Sequence, residues 1–327
     1  MYLPVIWKKL AKPLRYLLVL GLIYYLVARG DLDLPSLAKF FRLENSACIG
    51  LLFLIFAGSM LCVARRQQLI LAACGAAVSF CVSFKVVMVG MFYNNFLPGG
   101  FGGDLVRLTY LRQGTGRSYP SLTGILLLDR VLGLVGLSAC ALAAGAVLVS
   151  RRVIALEVLP VAFIAALCLP ILGVAALAFL RFPWLEERFK EWVRRSLGTA
   201  GQEFFLISPK VFRQKQVLSL ALLLSLANML LVMTGIGILA AQMFNLRAFW
   251  PYALLAPDVM FIGIVPVTPG NLGWMEAVAQ AVYNLFGISG GAVVFFIWRV
   301  IACVFSLTGG LWQMFTGGVP ACPGENA

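Results

Sequence analysis

The chain has 327 residues, 61% of them hydrophobic and only 12% charged, with a formal net charge of +13. Soluble domains carry about 25% charged residues, so this is an integral membrane protein, read as one membrane domain over 1–327 with no separate soluble catalytic domain. Histidine is absent, which excludes Ser-His-Asp and Cys-His catalysis, histidine-zinc sites and histidine proton relays, and the basic balance bears on membrane sidedness rather than on nucleic acid.

Residues 1–13 are basic, with Lys8, Lys9 and Lys12, and precede an apolar run at 14–28. No small-residue cleavage site follows Tyr24-Tyr25-Leu26, so a retained first span is expected, with Lys12 and Arg15 snorkelling to the interface. Residues 46–64 form a second span closed by Arg65-Arg66, and residues 69–93 a third apolar run that contains Lys85. A broken stretch follows at 94–107, then a basic tail with Arg112 and Arg117. Residues 119–150 are apolar except for Asp129-Arg130, and 158–180 form another span. The segment 181–215 is a basic connector whose residues 185, 189, 192 and 193 are apolar at helical spacing; it reads either as a solvated helix or as one lying on the membrane interface. Residues 216–243 are a clean span. Residues 248–286 break at Pro257-Asp258 and again between Pro266 and Gly273, and 289–316 form the last span, with Arg299 inside it. Seven of the eight cysteines lie in apolar segments and none form Cys-x-x-Cys, so no disulfide framework, metal site or cofactor is expected.

The two broken stretches share their punctuation. Pro98-Gly99-Gly100-Phe101-Gly102 is followed by Asp104, and Pro269-Gly270-Asn271-Leu272-Gly273 by Glu276; both are Pro-Gly-x-x-Gly and then a carboxylate. In hydrocarbon, broken backbone survives only where protein or a watery cavity covers it, and paired interruptions in the two halves of a chain point to a transporter's binding site. Helices starting near Gly102-Gly103-Asp104 and near Gly273 present N–H groups to an anion. With both stretches re-entrant and the N-terminus cytoplasmic, 17 Lys and Arg lie inside, 6 outside and 3 within the membrane, as the positive-inside rule requires. The fold expected is therefore all-α and polytopic: about six full spans and two re-entrant broken-helix hairpins, whose opposite entry sides suggest an inverted pair.

Charges at membrane depth are functional candidates by default. Four are basic (Lys85, Arg130 and Arg299, with Arg107, which the charge tally places on the inner side) and four acidic (Asp104, Asp129, Asp258 and Glu276); the equal numbers equally allow four ion pairs that hold helices together. Asp129 and Arg130 point about 100° apart on a helix and so pair with other helices. Asn94 and Asn95 are placed to satisfy backbone groups freed by the first break.

The residues Asn94, Leu97-Pro98-Gly99, Gly102-Gly103-Asp104 and Arg107, then Asp129-Arg130-x-x-Gly133-Leu134, then Pro266, Thr268-Pro269-Gly270-x-Leu272-Gly273 and Glu276, resemble the flippase-like membrane domain of lysylphosphatidylglycerol synthases and its stand-alone relatives. The resemblance covers nearly the whole chain. It implies movement of a lipid or lipid-linked head group between leaflets. The synthases carry a soluble aminoacyl-transferase domain after this region and the sequence ends at Ala327 without one, so it is translocation rather than synthesis that carries over. The expectation is a multi-pass transporter of the bacterial inner membrane, both termini cytoplasmic, not an enzyme, moving an anionic phospholipid or polyprenyl-phosphate-linked lipid. Arg107, Arg130, Arg299 and Lys85 would engage phosphate; Asp104 and Glu276 would orient these cations, cap the half-helices or bind a basic head group; Gly99, Gly102, Gly103, Gly270 and Gly273 would let the backbone approach; Asn94, Asn95, Pro98, Asp129 and Pro269 complete the expected substrate site. Partners expected are the lipid itself and no nucleic acid, with a lipid-modifying enzyme and an oligomer left open. The alternatives are a membrane-embedded aminoacyl or glycosyl transferase component and a non-transporting scaffold.

Overall fold

The structure is a computed structural model that describes residues 34–96, 102–150, 211–265 and 267–316, with scattered positions at 20–30 and 198–207. The expected spans at 14–28 and 158–180 and the connector 181–215 lie largely outside the described residues, as do both termini, Pro98, Gly99 and Pro266. Among the described residues every regular element is helical: α1 (Leu34–Phe40), α2 (Ser46–Ala73), α3 (Phe80–Phe96), α4 (Gly102–Thr115), α5 (Tyr119–Ser150), α6 (Lys215–Met243), α7 (Phe249–Ile262), α8 (Trp274–Leu285) and α9 (Gly291–Thr316). Helices α2, α5, α6 and α9 are each long and apolar enough to cross a membrane.

The remaining long elements come as two pairs of short helices. At about 1.5 Å per residue α3 reaches ~25 Å, α4 and α7 ~21 Å and α8 ~18 Å, short of the roughly 30 Å hydrocarbon core. Each pair flanks one broken stretch and is antiparallel. Asn94 meets Gly103 while Gly90 meets Arg107, and Gly263 meets Met275 while Tyr252 stacks on Tyr283.

The ends of each pair come back together. Arg117, ahead of α5, donates to the carbonyl of Gly75, after α2, at 2.9 Å, and Gln214, ahead of α6, donates to that of Ala73 at 3.4 Å. The end of α2, both outer ends of the α3–α4 pair and the starts of α5 and α6 therefore share one end of the molecule. At the other end Gln242 of α6 donates to Asn45, ahead of α2, at 2.8 Å. There the hydroxyl of Tyr252, near the start of α7, bonds the carbonyl of Ser289, just after α8. The two short-helix pairs thus enter the bundle from opposite ends.

One boundary differs from the sequence reading. Arg65-Arg66 do not close the second span: α2 runs on to Ala73, and the run expected at 69–93 is divided by a turn before α3 begins at Phe80. Arg66 stays inside because an aspartate faces it. Two apolar cores result. One joins Leu52 and Phe56 of α2 to the later half of α5 and to α6–α9. The other joins Ile70 and Leu71 of α2 to α3, α4 and the first half of α5. Along α2 the charged residues Arg65 and Arg66 lie between them, and on α5 Asp129 and Arg130 lie within the stretch that lines the second.

Candidate functional site

The first charged group is built on four helices. Arg66 of α2 is buried and grips Asp129 of α5 with two bonds, Nε to Oδ1 at 2.8 Å and an Nη to Oδ2 at 3.3 Å, while its other Nη reaches Ser225 of α6 at 2.9 Å. All donor nitrogens are used, which a guanidinium at 7% exposure requires. Gly133, one turn beyond Asp129, makes room, since a Cβ there would stand 3.1 Å from the Arg66 guanidinium. The Asp129-Arg130-x-x-Gly133 pattern is thus a seat for an arginine from another helix. Arg130 points elsewhere, to Asp104 at the start of α4, as the angle between adjacent helical side chains demands.

Asp104 sits in the first turn of α4, where the helix dipole favours a negative charge by about 0.3–1 kcal/mol. Arg107, one turn on, stands 3.7 Å from Asp104 and donates to Gln67 of α2. Its Nε and the Gln67 Nε2 are buried donors with no partner. Arg66, Arg107 and Arg130 face Asp104 and Asp129, leaving one positive charge in excess. Arg130 is the accessible member, its side chain 49% exposed.

Close backbone approach holds this group in place. A Cβ on Gly103 would collide with the carbonyl of Gly90 and stand 2.5 Å from the Asn94 side chain, so α3 and α4 touch at bare backbone. Asn94 Oδ1 accepts the Gly103 N–H at 2.9 Å, which satisfies one of the free donors of the new helix start.

The second charged group surrounds the other break. Arg299 of α9 donates from Nε to Glu276 of α8 and from its two Nη to the carbonyls of Gly270 (2.5 Å) and Asn271 (3.0 Å). Asn271 in turn donates to the carbonyl of Gly263 at 2.8 Å. The backbone needs this support because Gly270 and Asn271 are left-handed, with φ of 59° and 57°, and Gly273, ahead of α8, has φ of 77°. Arg299 is a clamp on broken backbone, and its donors are spent on the protein. Pro269 belongs to this same turn of 3-10 helix.

The two breaks meet at the end of α3. A Cβ on Gly270 would lie 3.3 Å from the carbonyl oxygen of Asn95, and Asn95 Nδ2 donates to Ser306 of α9 at 3.1 Å. Asn94 therefore holds the first break and Asn95 abuts the second. The full matching of four bases with four acids is not what the structure shows. Arg66 takes Asp129, Lys85 is buried with its Nζ 5.6 Å from the Trp312 ring centre, and Asp258 is in no ion pair among the described residues.

A family description, Lysylphosphatidylglycerol synthase TM region, matches residues 14–310. The chain belongs to that family. Membership and the four apolar helices make it a membrane protein of a lipid-related family. No curated protein and no solved structure gives a significant match.

The sequence reading missed Arg66, Gln67 and Gly90. Arg66 beside Arg65 reads as a membrane edge, and Gln67 carries no charge. In the structure the buried positions Leu52, Phe56, Ser59, Arg66, Gln67 and Ile70 follow one face of α2, but periodicity in the sequence does not single that face out.

Proposed function

We propose that this member of the family moves a phosphate-bearing lipid between the leaflets of the bacterial inner membrane, with Arg107 and Arg130 as the phosphate-facing groups. The observation that carries the reading is the pair of unsatisfied donors, Arg107 Nε and Gln67 Nε2, inside a group with one excess positive charge. A buried donor without a partner costs about 1–3 kcal/mol. A phosphodiester brings one negative charge and acceptor oxygens that a guanidinium binds in pairs. Arg66 and Asp129 hold the frame; Asp104 aims Arg107 and Arg130; Arg299 and Glu276 hold the second break.

The proposed topology is six spans and two re-entrant hairpins, α3–α4 from the cytoplasm and α7–α8 from outside, with both termini cytoplasmic. The meeting ends of each short pair support it. So does charge: Arg65, Arg112, Arg117, Arg213 and Lys215 lie at the end from which α3–α4 enters, against Lys39, Arg42 and Arg247 at the other. The chain acts as a transporter rather than as an enzyme. Purified protein in lipid vesicles tests this. Leaflet exchange of a labelled anionic phospholipid by the protein alone is expected; lipid modification from an added aminoacyl or sugar donor, without exchange, would replace this reading with the transferase one.

A further inference from the structure

Asp258 is a buried carboxyl that, among the described residues, neither group of ion pairs absorbs. It lies on α7, is 3% exposed, and its Oδ1 has no hydrogen-bond partner. Helix α7 packs against α5, α6, α8 and the turn Leu246–Ala248. The charged residues on those elements are Asp129 and Arg130, Lys215, Glu276 and Arg247. Asp129, Arg130 and Glu276 are paired with Arg66, Asp104 and Arg299; Lys215 opens α6 at one end of the bundle, and Arg247 is exposed at the other. The titratable side chain close enough to feel Asp258 is Tyr283 of α8, which is stacked on Tyr252 and donates to its carbonyl at 2.6 Å. Neither tyrosine supplies a countercharge.

An ionised carboxylate in such surroundings, without a cation or a donor, costs several kcal/mol, and the group takes a proton instead. A metal ion is the poorer occupant: sodium or calcium needs several oxygen ligands, and no cluster of three metal-binding side chains exists among the described residues. Pro257, directly before Asp258, has no N–H for the carbonyl of Ala253. The helix lacks one rung just where the carboxyl sits, so this turn separates more easily than its neighbours.

We propose that Asp258 is the proton-binding group that couples lipid movement to the proton gradient: it holds a proton in the conformation seen here and releases it where α7 meets water. On release the carboxyl O–H breaks, its electron pair stays on the carboxylate and the proton passes to water. The coupling rests on the transport reading above; the protonation does not.

Two measurements on the full chain in lipid vesicles separate these. Infrared difference spectra near neutral pH should show a protonated-carboxyl C=O band in the wild type that Asp258→Asn removes. Identical spectra would overturn the protonation and the coupling with it. Leaflet exchange of labelled phosphatidylglycerol is then compared with and without a pH gradient of about one unit. The wild-type rate should change by up to about tenfold, the ratio of proton activities, and the ratio for Asp258→Asn should fall to one. Wild-type exchange indifferent to the gradient would overturn the coupling while leaving the transport reading intact. No exchange by the wild type in any condition would remove the transport reading instead, with the infrared band still deciding protonation. If Asp258→Asn fails to reconstitute, Asp258→Glu serves: it should shift the band and retain the gradient response, and an unshifted band would overturn the assignment.

Discussion

At the scale of single residues, Arg66 and Arg299 hold structure, while Arg107 and Arg130 are the groups proposed to face phosphate. Arg66 and Asp129 form a desolvated bidentate pair. Removing one partner of such a pair costs about 3–5 kcal/mol because the other charge stays buried alone, whereas replacing both by apolar residues is often neutral. Arg66→Met should therefore lower stability by about 3–5 kcal/mol, and Arg66→Met with Asp129→Leu should regain most of it; thermal unfolding of both variants checks this. Arg299→Lys should also destabilise, by about 1–3 kcal/mol for each buried carbonyl left without a donor. Lysine can meet Glu276 but lacks the planar fork that spans Glu276 and the carbonyls of Gly270 and Asn271. Arg299→Lys unfolding like the wild type would contradict the clamp. Composition made the charges at 104, 107, 129, 130, 276 and 299 legible, since each interrupts an apolar run. It did not make Arg66 legible, because α2 is apolar all round and periodicity shows a buried face only once a neighbour is known.

At the scale of elements, most helix boundaries were readable, since α5, α6 and α9 end at Ser150, Met243 and Thr316 where their apolar runs end, but the division between α2 and α3 was not. Gly273, with φ of 77°, stands just ahead of α8 because glycine permits such backbone, and Gly102 is the first residue of α4. The turn at 74–79 carries only small and apolar residues, so hydropathy does not fall there and α2 and α3 blur together. Which glycines serve packing was not readable either: Gly90, outside any motif, is the surface on which Gly103 rests. Gly103→Ala should push α3 and α4 apart and cost about 1–3 kcal/mol by overpacking. Gly50→Ala, in open space on α2, is the control. A lower unfolding temperature for Gly103→Ala alone is the expected outcome.

At the scale of the whole molecule, the lysine and arginine distribution carried the expected sidedness, but which helices pack together required the structure, because apolar faces do not name their partners. The proposed orientation predicts that a cysteine at Gln113, in a cysteine-free background, is labelled from the cytoplasm only, and one at Leu246, 86% exposed, from outside only. The reversed pattern would invert the topology. Arg107 with Gln67 is proposed to receive a lipid phosphate. The most direct measurement is the rate of leaflet exchange of a labelled anionic phospholipid by purified protein in vesicles, wild type against Arg107→Lys, with folding confirmed by thermal unfolding. Lysine keeps the charge and loses the fork, a difference of about 1.4 kcal/mol or more, so the variant should remain folded and exchange at least about tenfold more slowly. A folded Arg107→Lys protein that exchanges the lipid at the wild-type rate would contradict the claim.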